Sequence, residues 1–222
     1  MLIILLGATV ATVALLVRPS TSQNIPELEN EKGLRVLENP RLLPEFTLLD
    51  QNGKSFTRAQ LKNQWSVIFF GYTSCPDVCP TTLGVMDTAA SLINAKPTQN
   101  NQPVRFIFAS VDPVRDTPAH LKEYIKYFNS DFIAITGKNN TDIDRLSTPI
   151  GATYNYEDTK TSQPIRDMST LSKDGEYLVN HFAGIYIIDP SASVSAVVSP
   201  PHDAERFTKV FTIIRRVHTE NN

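Results

Sequence analysis

A chain of 222 residues suffices for one sizeable domain, alone or with an anchor. Hydrophobic residues make up 41% and charged residues 20%, a balance that excludes a disordered chain. The net charge of −2, with no Lys/Arg run longer than Arg215-Arg216, argues against nucleic acid as a partner.

The chain opens with MLIILLGATVATVALLV, Met1 to Val17, which carries no charge and is closed by Arg18-Pro19. As a helix this stretch would span about 26 Å, slightly less than a hydrocarbon layer of about 30 Å. A cleaved signal peptide is the rival reading, because Ser20-Thr21-Ser22 would suit a cleavage site. The missing basic start weighs against it. Residues 1–18 are therefore expected to be an N-terminal transmembrane anchor, or failing that a signal segment. Either delivers the globular part outside the cytoplasm. Residues 19–40 are polar and turn-rich and are expected to be a linker, with the domain over 41–218.

Within the domain, Glu45–Asp50 and Ser55–Thr57 flank an Asn52-Gly53 turn, a hairpin signal. Trp65–Phe70 is a continuous apolar run, as expected for a strand buried on both faces. Thr81–Ile93 has helical spacing of its apolar residues, and Pro80 suits the first helical position. Val104–Val111 reads as a strand, Thr117–Phe128 as a helix capped by Thr117, Phe132–Ile135 as a strand and Asn140–Ile150 as a short helix. Residues 157–175 fit neither period and are expected to form an exposed insertion or long loop. Gly184–Asp189 and Ser193–Val198 read as strands and Asp203–Arg216 as the last helix. Strands alternating with helices imply a mixed α/β sheet covered on both sides.

Cys75 and Cys79, the only two cysteines, stand where the buried strand ends and a helix begins. In open α/β sheets that carboxyl end is where ligands bind. A crosslink closing so short a loop removes little chain entropy, so a purely structural disulfide is disfavoured. Near a helix N-terminus both thiols gain acidity. Such a dithiol can exchange with other disulfides, or bind a soft cation such as Cu(I), provided a further donor is found. Among four histidines, His120 lies on a charged helix, His202 precedes the last helix and His218 falls in the C-terminal tail. His181 stands apart, after Tyr177-Leu178-Val179, although spacing alone reads it as a structural histidine.

FGYTSCPDVCPTTL, ASVDPVRDTP (Ala109–Pro118) and GEYLVNHFAGIYIIDP (Gly175–Pro190) together resemble the SCO/SenC family over residues 40–217. The resemblance implies a membrane-anchored, thioredoxin-like copper protein that assists assembly of cytochrome c oxidase. It implies Cys75, Cys79 and His181 as the copper ligands, holding Cu(I) or Cu(II) in a trigonal site whose exposed sulfurs pass the ion by ligand exchange. Asn180-His181-Phe182 also lacks the cis-proline that thioredoxin-like oxidoreductases carry in that loop. Asp77 and Asp112 are implied to lie near the site, tuning it or meeting a partner, with turn and cap roles as the alternative. Asn180 replaces a frequent Asp and is expected to alter how His181 is held.

Two functions follow from the resemblance. One is a metallochaperone for the binuclear copper centre of oxidase subunit II, supplied by a copper donor protein. The other is an enzyme, a thiol–disulfide oxidoreductase in which Cys75 and Cys79 keep the subunit II cysteines reduced, recharged by a thiol reductant. The setting would be the periplasmic side of a bacterial inner membrane or the mitochondrial intermembrane space. A peroxiredoxin-like peroxidase shares the Cys-Pro-Thr string at 79–81 but requires a Thr three residues before the cysteine, and neither cysteine has one.

Overall fold

The computed structural model describes residues 25–95 and 103–220. Among the described residues, eleven strands and four α-helices follow in chain order: β1 (Leu34–Leu42), β2 (Thr47–Asp50), β3 (Ser55–Thr57), β4 (Ser66–Gly71), α1 (Val78–Asn94), β5 (Arg105–Ser110), α2 (Pro118–Lys126), β6 (Ile133–Thr136), α3 (Asn140–Ser147), β7 (Tyr154–Asp158), β8 (Pro164–Ile165), β9 (Tyr177–His181), β10 (Ile185–Ile188), β11 (Ser193–Val198) and α4 (Ala204–Glu220).

Eight strands form one sheet in the order β1-β11-β10-β4-β5-β6-β2-β3. The β4–β5 and β5–β6 pairs are parallel and the others antiparallel. Every residue of β4 is buried, as its unbroken apolar run requires of a central strand covered on both faces. Helix α1 turns Leu83, Met86, Ala89, Ala90 and Ile93 inward, a helical spacing that closes one side of the core. It packs against α4, and α2 packs against β6. The expected hairpin forms as β2 and β3, with Gly53 in the left-handed region (φ 73°) that its turn demands. Thr117 caps α2 as expected, its hydroxyl accepting from the His120 amide.

Four expectations need correction. The stretch 157–175 is not wholly a loop: β7, β8 and β9 form a separate three-stranded sheet, to which 157–175 gives the end of β7 and the two-residue β8, the rest of the stretch being turns and a short 3-10 helix. Its short strands and polar outer face hid a period that the partner strands complete. The expected linker is partly structured, since Pro26–Leu28 forms a 3-10 turn with Ile25 and Leu28 buried, and β1 pairs with β11 at the sheet edge. Helix α1 begins at Val78, so Pro80 is its third residue, still within the first turn where amides need no partner. His218 lies within α4 and packs edge-on against Trp65 at 5.0 Å rather than in a loose tail.

The apolar segment 1–18 lies outside the described residues. Among those described, no helix is long and apolar enough to cross a membrane. Residues 25–33 run along α4, where Glu31 pairs with Arg206 at 3.2 Å and Lys209 at 2.7 Å, and Glu27 pairs with Arg216.

Candidate metal centre

Strand β4 ends at Gly71, where the neighbouring side chains leave room for nothing larger than glycine. A Cβ at Gly71 would stand 2.7 Å from Cys79 Sγ and 2.8 Å from the Phe108 ring. The chain then leaves the sheet through residues 72–77, held in two ways. The Cys75 amide donates to the Tyr72 carbonyl at 3.3 Å. The Thr73 amide and hydroxyl donate to the Asp116 carboxylate at 3.0 and 2.5 Å, and the Ser110 hydroxyl adds a third bond at 2.6 Å. Asp116 is itself fully buried, and burial pushes its carboxyl above the usual range. Cys75 is thereby left half-buried on the rim, while Cys79, second residue of α1, is fully buried beneath it.

His181 comes from the other sheet. It ends β9 and pairs with Tyr154 of β7. Alternation along β9 turns Tyr177 and Val179 inward and Leu178 and Asn180 outward, so His181 faces the cysteines. Its Nε2 lies 3.5 Å from Cys79 Sγ. The rings of Phe69 and Tyr72, each 6.0 Å away and edge-on, wall the imidazole. One donor atom from each of Cys75, Cys79 and His181 lies within 4.8 Å of the others. His181 Nδ1 is buried with no hydrogen-bond partner among the described residues.

The two thiols are free. They share a proton unequally. Cys75 is lowered to about 3, first by the hydrogen bond from Cys79, then by His181 and by the Asp77 and Cys79 amides. Cys79 is pushed up in turn, by that same shared bond and by burial. The pair therefore carries one negative charge at neutral pH, on the sulfur nearer solvent. An ion taking both sulfurs must displace the Cys79 proton. Two thiolates and one imidazole suit a soft ion such as copper.

The residues singled out by resemblance separate into two groups. Cys75, Cys79 and His181 are brought together. Asp112 is not at the rim: its side chain is fully buried, paired with Arg115 and accepting from the Tyr177 hydroxyl at 2.8 Å, so it cannot meet a partner. Asp77 is exposed between the cysteines, accepting weakly from the Thr81 hydroxyl at 3.4 Å. Asn180 points away from His181, donating to Asn155 at 3.3 Å and Glu157 at 3.0 Å. Asn180 thus gives His181 no hydrogen bond, and the imidazole Nδ1 has no partner among the described residues. Only Cys75 of the two sulfurs reaches the surface, against the expected pair of exposed sulfurs. Sequence reasoning missed Gly71 and Asp116. A glycine ending an otherwise bulky buried strand was the available signal for the first. The second gave none, because its partners Thr73 and Ser110 are scattered along the chain.

A mixed sheet flanked by helices, with an acidic dithiol at the end of its central strand and an imidazole brought from a second sheet, defines a thioredoxin-like domain whose donor set suits a soft metal ion. The chain belongs to the SCO1/SenC family, whose sequence pattern matches residues 35–215. A protein of Stutzerimonas stutzeri named for copper binding is 30% identical over 183 residues, 82% of this chain and 81% of that one. Arabidopsis thaliana ScoI, solved with copper bound, is 28% identical with a TM-score of 0.65, over 79% of this chain and 99% of that one. Bradyrhizobium japonicum ScoI, also with copper bound, is 30% identical with a TM-score of 0.61, over 79% of this chain and 98% of that one.

Proposed function

We propose that this protein is a copper-binding assembly factor for cytochrome c oxidase, holding one copper ion through Cys75, Cys79 and His181. The observation that carries this reading is the approach of those three donors to within 4.8 Å of one another, two from the β4–α1 junction of the main sheet and one from the end of a strand in the small sheet. The ion is cargo. Cys79 holds it from below, and a ligand offered by a partner reaches it from the side of Cys75, where sulfur meets solvent. The recipient in this reading is the binuclear copper centre of oxidase subunit II. Residues 1–18 anchor the protein in a membrane with the domain outside the cytoplasm, in the bacterial periplasm or the mitochondrial intermembrane space.

Titration of the reduced protein with copper tests the ligand set. One copper per chain is expected, with sulfur-to-copper charge transfer that changes and affinity that falls on His181→Ala. Unchanged affinity and spectrum in that variant would refute it.

A second reading has its own support. A half-exposed thiolate above a buried partner thiol is the arrangement of an attacking and a resolving cysteine. On that reading Cys75 attacks an oxidised disulfide of subunit II, Cys79 then displaces the reduced substrate, and a Cys75–Cys79 disulfide remains for an external reductant. Failure of the reduced protein to reduce oxidised subunit II would remove it.

A further inference from the structure

Arg115 lies between β5 and α2, and its contacts run not to the three donors but to Asp112, to Tyr177 at the start of β9 and to Tyr72, which walls His181. Its side chain is 12% exposed, and Asp112 beside it is fully buried. Arg115 Nε donates to the Asp112 carboxylate, and Nη1 donates to the Tyr177 carbonyl at 3.1 Å. The guanidinium lies 3.7 Å from the Tyr177 ring centroid, and the Tyr177 hydroxyl donates to the second Asp112 oxygen at 2.8 Å. Three contacts from two residues thus close around Tyr177, the first residue of β9. On its other side the guanidinium stands 5.6 Å from the centroid of Tyr72, the ring that meets His181 edge-on.

Stability alone is a poor account of this cluster. Desolvating two charges offsets much of their attraction, and Arg115 Nη2 is buried with no partner among the described residues. What the cluster does specify is register. β9 runs from Tyr177 to His181, about 13 Å at strand rise, so fixing its start fixes where its last side chain falls. His181 needs this, because no hydrogen bond at Nδ1 orients it, as metal-binding histidines ordinarily have. The small sheet is also docked independently of Arg115: the Tyr156 hydroxyl donates to the Val111 carbonyl at 2.5 Å and accepts from Asn140 at 2.6 Å.

We propose that Arg115 is a positioning residue for His181, held by Asp112 and acting through Tyr177 and Tyr72 to keep the imidazole beside the two sulfurs. This rests on the ligand set proposed above. Because the second docking point remains, losing Arg115 loosens the register of β9 without detaching the sheet.

The test is a double-mutant cycle on the full chain, Arg115→Gln in the wild-type and His181→Ala backgrounds. Cu(I) affinity is read by chelator competition, and imidazole nitrogen coupling by electron paramagnetic resonance of the Cu(II) form. In the wild-type background affinity falls about tenfold and the nitrogen coupling weakens, while the thiolate charge-transfer band persists. In the His181→Ala background Arg115→Gln causes no further loss. Equal losses in both backgrounds, or none in either, overturn the proposal. Should the glutamine variant not fold, Arg115→Lys keeps the charge beside Asp112 but lacks the forked donors. It is expected to lose affinity in the same sense, and wild-type behaviour would overturn the proposal. If His181→Ala alone changes nothing, the ligand set fails and the role of Arg115 falls with it.

Discussion

Gly71→Ala adds one methyl group at the point where the central strand meets the buried sulfur. The new carbon would lie 2.7 Å from Cys79 Sγ, 2.8 Å from the Phe108 ring and 3.2 Å from the Phe69 ring. Ordinary contacts begin near 3.5 Å, so the sulfur and the Phe108 ring must each move by nearly 1 Å. Neither moves freely: both are fully buried, and the sulfur hangs from the first turn of α1 by a single rotatable bond. Overpacking of this kind costs about 2 kcal/mol. With an m-value near 2 kcal/mol per M, the urea midpoint of the copper-free protein should fall by about 1 M. Copper affinity should fall at least tenfold as well, because one of three donors has left its place. Urea denaturation followed by circular dichroism, and chelator competition for Cu(I), measure the two effects separately. A variant that unfolds at the wild-type midpoint and binds copper equally well would show that Cys79 does not rest against Gly71.

Two further outcomes follow from the thiol and histidine environments. Iodoacetamide at pH 6 should label Cys75 first, since its thiol is lowered to about 3 and half-exposed whereas Cys79 is raised and buried; equal labelling on peptide mapping would contradict the unequal sharing of the proton. His202, whose Nε2 donates to the Ala183 carbonyl at 2.7 Å, is held below its ordinary value by burial, so the unfolded chain takes up protons that the fold refuses. Stability should therefore be full above pH 6.5 and be lost as pH falls below it, with a smaller slope in His202→Gln; identical slopes would rule His202 out.

Much of the main sheet was legible because its signals are local. β4 is an unbroken apolar run, the β2–β3 turn is Asn-Gly, and Thr117 precedes a proline at a helix start. The small sheet was not, because β7 to β9 are stabilised by what they dock onto. Tyr156 and Tyr177 are buried through hydroxyls bonded to Val111 and Asp112, partners that lie 45 and 65 residues away. The same distance explains the site. Cys75 and Cys79 announced themselves by type and spacing. His181 sits 102 residues from Cys79, and residue types alone favoured a structural role; only the motif resemblance selected it. Asp112 shows the other limit: its motif placed it near the site with tuning, partner and turn roles all open, and only the fold shows it fully buried against Arg115 and Tyr177.

The segment that runs along α4 also fixes where the chain enters the domain. Ile25 and Leu28 are buried, a contribution of about 1.5–3 kcal/mol each, and the ion pairs of Glu27 and Glu31 with α4 lie beside them. Ile25 sits with Asp189 and His218 at the end of the sheet where β4 begins, whereas the sulfurs lie beyond the end where it stops. The chain thus enters the domain at the pole remote from its cargo, separated from it by the length of β4, about 17 Å. Under the attachment proposed above, only residues 19–24 would stand between bilayer and domain, so reach comes from a stiff body held at its base and not from slack cord. A recipient would have to present its own ligands at a matching height above the lipid surface.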